Sequence, residues 1–314
     1  MKPKIAVLMG GHSLERDISF QSGKRVAAAL KKLGYRVASL DVDEHIATHL
    51  RKERPDLCFI ALHGRFGEDG AIQGLLEIMG LPYTGSGILA SVLGMDKSLS
   101  KDFFQKENIP TPDFVALSTG AVKELGAASV INDIIARLGL PLVVKPSNQG
   151  SAQGINFVKS EDQMTSALLG AFSFSDKVIL EQYIQGMEVA VSVLGEDRTR
   201  ALPPVEIAPK KGHFDFEAMY TMGATEYFVP ARLPADKIKE IQKTAVKAHK
   251  TLGCRDFSRV DFIVDKKTGV PYVLELNTIP GLTETSLFPM AAAEAGLDFT
   301  ELIGKIAKAG LARK

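Results

Sequence analysis

Two acids facing each other across a hairpin call for a counter-charge, and the stretch from Arg259 to Leu287, RVDFIVDKKTGVPYVLELNTIPGLTETSL, sets up that arrangement. Arg259 to Val264 and Tyr272 to Asn277 are patterned as strands, and the Asp-Lys-Lys-Thr-Gly between them reads as a hairpin connection. With the turn centred near Thr268, Asp261 faces Glu275 and Arg259 faces Asn277. Strand side chains alternate between faces, so these four share one side, while Phe262, Val264, Leu274 and Leu276 share the other, the expected core side. Like charges directly opposite cost roughly 0.2–1 kcal/mol when solvated and more when buried. Two carboxylates and an amide form an all-oxygen set suited to Mg²⁺, a hard ion held by one or two carboxylates and by substrate phosphates. The plain alternative is a solvated acidic strand face.

The loop that follows, Asn-Thr-Ile-Pro-Gly, contains a Pro-Gly turn whose exposed N–H groups can hold an oxyanion, with Arg259 as a fixed positive charge beside it. Metal, arginine and turn amides together describe phosphoryl transfer followed by chemistry at an acyl centre.

Such a site needs a scaffold, and 314 residues suffice for two or three domains with real cores. The 38 basic and 37 acidic residues nearly cancel, which argues against a nucleic-acid or membrane-surface partner. Cys58 and Cys254 lack the spacing of a zinc or redox pair and fit a reducing compartment. The apolar run after MKPK is too short for a signal segment, so the expectation is a soluble, cytoplasmic protein.

Ile5 to Met9 is an apolar run ending in Gly10-Gly11, followed by Val26, Leu30 and Leu33 at helical spacing up to Gly34, a β-loop-α opening. Strands near Arg36 to Leu40 and Leu57 to Leu62 extend it into an alternating, mostly parallel α/β unit, whose ligands belong at the carboxyl ends of its strands. Glu15 and His63 stand at such ends. Position alone leaves them open between a site role and a structural one, Glu15 favouring a helix N-terminus and His63 capping a strand. Asp69 is expected to cap the helix carrying Ile72, Leu75, Leu76 and Met79.

Gly85 to Ala90 matches G-x-G-x-x-A, but no second parallel strand ends about twenty residues on, so it is read as a turn. Asp96 to Asn108 reads as a helix broken by Ile-Pro-Thr-Pro. Beyond it, Leu142 to Pro146 is an apolar strand carrying Lys145, and a buried lysine needs an anionic partner. Ser147 to Gly154 is small and rich in donors, and either covers phosphates or is an ordinary hairpin turn; no Walker A motif is present. Val178 to Ile184 and Gly186 to Val193 read as strands with Glu181 and Glu188 at or near their ends, and Ala208 to Val229 as a long lid-like loop. Helices follow from Pro234 to Gly253 and after an Asp298/Glu301 capping box.

The segments MGGHSLERDIS, ALHGRFGEDGAIQG, GLPYTGSGILASVLGMDK, GLPLVVKPSNQGSAQG, DFEAMY and LELNTIPGLTETSLFPM resemble the D-alanine–D-alanine ligases of the ATP-grasp superfamily almost from end to end. The resemblance implies an α/β (α+β) ATP-grasp fold: a Rossmann-like parallel-sheet domain over residues 1–96, a central ATP-grasp subdomain over 97–180, and a C-terminal one over 181–314. It implies that ATP phosphorylates the carboxylate of one D-alanine and the amine of a second displaces the phosphate, in peptidoglycan precursor synthesis. A carboxylate is a poor electrophile until its oxygen becomes a leaving group.

Carried over by position, Lys97 and Lys145 would bind ATP phosphates under a loop bearing Ser151, while Glu181, the main chain near Ile184, and Glu188 would hold adenine and ribose. Asp261, Glu275 and Asn277 would bind two Mg²⁺, with Mn²⁺ as a substitute. Glu15 would take the first ammonium with His63 nearby, Arg259 and the Gly281 amide the oxyanion, and Ser286 and Leu287 the second carboxylate. Glu15, Ser151 and the lid residue Tyr220 would form a hydrogen-bonded link, and Tyr220 favours amine over hydroxyl as nucleophile. Homodimers through the N-terminal domain are common in such proteins.

The pattern breaks at Met219 and Gln182, where the family usually has lysine. Losing one donor at a transferring phosphoryl group costs on the order of 10²–10³ in rate, so the expectation is a slowed ligase or one with a rearranged lid, in which Lys210 or Lys211 of the same loop takes the place of the missing lysine. The other readings are a ligase for another second substrate, such as D-serine or D-lactate, and a nucleotide-binding homologue without turnover.

Overall fold

The structure is a computed structural model and describes residues 2–125, 127–195, 199–210 and 223–313. Its strands sort into three sheets. The first is parallel, in the order β2-β1-β3, from β1 (Lys4–Met9), β2 (Arg36–Asp41) and β3 (Leu57–Ile60). Ile5 to Leu8 and Leu57 to Ile60 form unbroken apolar runs because both faces of the sheet are covered. Between these strands lie α1 (Arg16–Lys32) and α2 (Ile46–Glu53). Gly23 lets α1 approach β1 closely, since a Cβ there would stand 2.6 Å from that of Met9.

Three helices follow: α3 (Ala71–Ile78), α4 (Ile88–Met95) and α5 (Lys97–Lys106). Asp69 acts slightly upstream of the expected cap. Gly70 is the cap residue of α3, while the Asp69 carboxylate accepts from Phe66 and Ala71 N–H and braces the entering loop. The Gly85–Gly87 stretch is a turn leading into α4, as read from sequence. Asp96 caps α5 through Ser98 and Leu99 N–H, placing Lys97 in its first turn.

The second sheet is antiparallel, in the order β4-β7-β5-β6, from β4 (Phe114–Ser118), β5 (Leu142–Pro146), β6 (Asn156–Val158) and β7 (Lys177–Gln182). Helices α6 (Thr119–Leu125), α7 (Ala127–Leu138) and α8 (Met164–Phe172) accompany it, with Ile134, Leu138, Val144, Leu168 and Leu180 in its core. β7 continues two residues past the 180/181 division read from sequence, so Glu181 and Gln182 belong to this sheet.

The third sheet has six strands: β8 (Gly186–Leu194), β9 (Arg200–Ala201), β10 (Val205–Pro209), β11 (Thr225–Phe228), β12 (Phe257–Asp265) and β13 (Pro271–Asn277). The order is β11-β10-β8-β12-β13, with β9 on β8. The helices α9 (Ala235–Thr251), α10 (Leu287–Glu294) and α11 (Phe299–Leu311) complete it, and α11 opens with the expected Asp298/Glu301 capping box. Part of the segment read as a lid is regular structure: Glu206 to Pro209 pair antiparallel with Thr225 to Phe228.

The β12–β13 hairpin has the expected register at its functional end, Arg259 opposite Asn277 and Asp261 opposite Glu275. Next to it the register shifts, Phe262 pairing with Val273. This bulge leaves Leu274 without a partner and reverses the alternation. Val273, not Leu274, joins Phe262, Val264 and Leu276 in the core, correcting the face assignment made from simple alternation.

One core cluster joins the first and third sheets, combining Ile5, Val7 and Phe59 with Ala190, Phe257, Phe288 and Ile303. Beside it, Arg313 donates to both carboxylate oxygens of buried Asp256, at 2.5 and 2.7 Å, and to the Tyr83 carbonyl at 2.8 Å, while Gly85 N–H donates to the same carboxylate at 2.7 Å. The strand ends carrying Glu15 and His63 are thereby set against the hairpin carrying Arg259.

Candidate active site

Residues from all three sheets line one cavity of about 720 Å³, within the usual range of roughly 300–1,000 Å³ for small-molecule sites. Glu15 and His63 reach it from the first sheet, Lys145 and Glu181 from the second, and Glu188, Arg259, Asp261, Glu275 and Asn277 from the third. Lys97, Ser151, Ile184, Gly281, Ser286 and Leu287 line it too.

At one end, the Glu181 carboxylate lies 2.6 Å from Lys145 Nζ and 3.1 Å from Lys101 Nζ. Sequence reasoning missed Lys101, although it sits four residues after Lys97 on α5 and so on the same helix face. It is fully buried, reaches Thr111 Oγ1 at 2.5 Å and lies 5.3 Å from the Phe114 ring centre. Burial pushes Lys101 down to about 8 against the pull of Glu181, which leaves it mostly protonated at neutral pH. Burial also works against the Glu181 anion, but Lys145 and Lys101 outweigh it and hold its pKa below the ordinary value. Ile184, Glu188 and the bulged Leu274 line this end, where the aromatic pair Phe157–Tyr183 meets edge to face.

At the other end, Arg259 grips Asp261 through two bonds of 2.7 Å, the fork geometry that guanidinium and carboxylate share. Burial lowers the Arg259 pKa, but Asp261 overrides it and the net shift is upward. Asn277 Nδ2 donates to Asp261 Oδ2 at 3.0 Å, leaving its amide oxygen as an acceptor. Glu275 pairs with Lys97 at 3.0 Å; burial opposes its charge, but Lys97, Lys145 and Arg259 hold it down at about 2. The predicted counter-charges are therefore present as side chains. Among the described residues no group of three or more His, Cys, Asp or Glu could hold a metal unaided. Asp261, Glu275 and the Asn277 oxygen still fit Mg²⁺, whose remaining positions water and ligand phosphates normally fill.

The third part of the cavity is built on the first sheet. Glu15 directly precedes α1, is buried, and accepts from Ser151 Oγ at 3.2 Å, which bridges the first sheet and the loop after β5. Ser151 and Ala152 both adopt left-handed backbone, at φ +55° and +53°, so the loop is bent toward Glu15. Tyr220 and Met219 lie outside the described residues. His63 is buried, with Nε2 3.1 Å from Ser22 Oγ, and burial pushes it down to about 4, so it is neutral at pH 7. Glu68, also missed from sequence, accepts from Gly64 N–H at 2.6 Å, and burial raises it to about 7.

Beyond β13, Gly281 lies close against Ser286: a Cβ there would stand 2.7 Å from Ser286 Oγ and displace that hydroxyl. That hydroxyl accepts from Thr283 N–H at 3.0 Å and pairs with Thr283 Oγ1 at 2.7 Å, holding the turn at the start of α10. Leu287 is the first residue of α10, where N–H groups lack intrahelical partners and favour an anion. A paired-cation wall, a hard-oxygen corner, a buried carboxylate and a helix start can hold a nucleotide, an ion and two small zwitterions.

The family model "D-ala D-ala ligase C-terminus" matches residues 103–308 and "D-ala D-ala ligase N-terminus" matches residues 39–86. A D-alanine–D-alanine ligase from Pelotomaculum thermopropionicum is 46% identical over 306 residues, covering 98% of this chain and 96% of the relative. The crystal structure of D-alanine–D-alanine ligase from Bacillus anthracis complexed with ATP superposes with TM-score 0.84 at 34% identity, covering 99% of this chain and 98% of that one. A D-Ala:D-Ser ligase from Enterococcus faecalis superposes with TM-score 0.84 at 30% identity, covering 99% of this chain and 100% of that one. The expected resemblance and ATP-grasp fold are both met: this chain belongs to the D-alanine–D-alanine ligase family.

Proposed function

We infer that this protein is an ATP-dependent ligase that joins two D-alanines into D-alanyl-D-alanine through a D-alanyl phosphate, releasing ADP and phosphate, in peptidoglycan precursor synthesis. The observation that carries this reading is the single cavity into which Glu15, Lys97, Lys145, Glu181, Arg259, Asp261, Glu275 and Gly281 all open.

Glu181, the Ile184 main chain and Glu188 hold adenine and ribose, while Lys97 and Lys145 turn from their carboxylate partners to the phosphates. Asp261, Glu275 and Asn277 would hold two Mg²⁺, for which Mn²⁺ could substitute, and the chemistry such ions would supply is charge neutralisation at the phosphoryl group. Glu15 holds the first ammonium, and Ser151 orients Glu15 from above with Tyr220 extending the link. Ser286 and Leu287 seat the second carboxylate, so its amine meets the acyl carbon. The new C–N bond forms as the C–O bond to phosphate breaks, and Arg259 with the Gly281 amide takes the negative oxygen between those events. His63, neutral, contributes shape and hydrogen bonding near the first substrate.

The working division is 1–96, 97–180 and 181–314, with β7 running two residues across the second boundary. The protein acts in the cytoplasm, without nucleic acid or membrane; among the described residues no helix is long and apolar enough to cross a bilayer. Exposed Ile78 (86%), Leu89 (71%) and Val92 on α3 and α4 support a homodimer through this face.

The test is phosphate release from ATP and Mg²⁺ with D-alanine, L-alanine, D-serine, D-alanine plus D-lactate, and no substrate. D-alanine-specific release with dipeptide seen by mass spectrometry is expected; D-serine incorporation exceeding D-alanine would move the protein to the mixed-substrate class. Met219→Lys is expected to raise turnover, and an unchanged rate would reject the slowed-lid reading.

A further inference from the structure

Helix α1 does more than present Glu15 ahead of its first turn. Ser22 and Arg25, three residues apart and so on one face of α1, take both polar groups of a single residue in the oxyanion turn. Leu282 N–H donates to Ser22 Oγ at 3.2 Å, and Arg25 Nη1 donates to the Leu282 carbonyl at 2.6 Å. Ser22 is fully buried, and the Arg25 guanidinium sits 4.0 Å from the Phe299 ring centre. The helix itself is already anchored by Gly23, Val26, Ala27 and Leu30.

The effect of the Ser22 and Arg25 bonds falls on Gly281. The Leu282 N–H shares a peptide plane with the Gly281 carbonyl, so fixing one orients the other and restricts ψ of a glycine, the residue with the freest backbone. We propose that Ser22 and Arg25 are positioning residues for the tetrahedral step, with α1 holding the Gly281 turn at a set distance from the Glu15 carboxylate. One rigid helix then registers the first substrate's ammonium against the oxyanion donors, across roughly 10 Å of helix at 1.5 Å per residue. His63 supports the same arrangement through its 3.1 Å contact with Ser22. The proposal rests on the ligase reading and deepens it.

The experiment compares wild type, Ser22→Ala, Arg25→Met and Arg25→Lys in the full chain with ATP and Mg²⁺. It measures kcat for dipeptide, the affinity for ATP, and the affinity for a phosphinate dipeptide analogue that mimics the tetrahedral centre. A misplacement of about 1 Å costs on the order of 10²-fold. Arg25→Met is expected to lose about 10- to 100-fold in kcat and in phosphinate affinity, with ATP affinity within about twofold and most of the loss recovered in Arg25→Lys. Unchanged kcat, or equal losses for ATP and phosphinate, overturns the proposal. Should Arg25→Met fail to fold, Ser22→Ala carries the same comparison, with kcat and phosphinate affinity expected to fall together while ATP affinity stays within about twofold. A wild type that makes no dipeptide overturns the ligase reading, and the proposal with it.

Discussion

The two ends of the cavity solve the problem of buried charge differently. Around Glu181 one carboxylate meets two lysines, and none of the three side chains is more than 6% exposed. Around the hairpin, Asp261 pairs directly with Arg259 and Glu275 with Lys97, one direct ion pair each, with carboxylate side chains 17% and 26% exposed. Breaking a buried pair leaves an uncompensated charge and is costly, whereas partly solvated pairs exchange partners more cheaply. The first end is thus a fixed acceptor that keeps its charge if Lys145 turns away, because Lys101 remains. The second is an exchangeable one, where a metal can replace side-chain cations.

Five substitutions follow from this contrast, the last of them a control. Glu275→Gln removes one acid from the exchangeable end; phosphate release should fall at least about 10²-fold, with more Mg²⁺ needed for half-maximal activity. An unaltered Mg²⁺ titration would place Glu275 outside the metal's reach. Lys101→Met leaves Glu181 a single cation at the fixed end. It should raise the KM for ATP about tenfold, keep kcat within about twofold, and cost about 2–4 kcal/mol in urea unfolding. A kcat loss matching that of Glu275→Gln would erase the distinction between the ends.

The bulge gives a smaller, paired effect. Val273→Ala should cost about 1–3 kcal/mol of stability, and Leu274→Ala less than about 1 kcal/mol while weakening ATP binding. Reversed results would restore simple alternation. Last comes a control outside the cavity lining: His249, buried with Nδ1 2.7 Å from Ser258 Oγ, is pushed down to about 4 by burial. Its unfolded value is near 6.5, so the unfolded chain binds the proton first. Its contribution is present above that value and is lost as pH falls toward about 4, by about 1 kcal/mol between pH 6.5 and 5.5. Urea midpoints across this range should decline, and His249→Gln should flatten the decline.

The hairpin was legible at its functional end because counting outward from Thr268 places Asp261 opposite Glu275, although the ladder nearest the turn, with Val264 opposite Pro271, is centred between Lys267 and Thr268. Its bulge was not, since a period of two contains nothing that marks where one residue is added; Leu274 was assigned to the wrong face for that reason. Lys101 was within reach of i, i+4 spacing, but a lysine on a mixed helix reads as solvated until its partner Glu181, on a distant strand, is known. The contact of Ser151 with Glu15 was expected from the family resemblance alone, because it spans 136 positions and depends on how separate sheets dock. Local pattern carries no such information. The lid-like reading of Ala208 to Val229 failed at its ends because Pro209 and nearby polar residues mask a short antiparallel ladder.

The Arg313 clasp has a bearing on how the chain is made. Its guanidinium closes on Asp256, which also receives Gly85, so a tie between residues far apart in the sequence waits until Arg313 has been made, well after both of its partners. During translation the parallel sheet can form early, but its fastening to the hairpin is deferred until Arg313 has cleared the ribosome exit tunnel. Until then the apolar surface shared by Phe59, Phe257 and Phe288 is incompletely covered, and nascent chains truncated before Arg313 should bind chaperones longer than full-length ones.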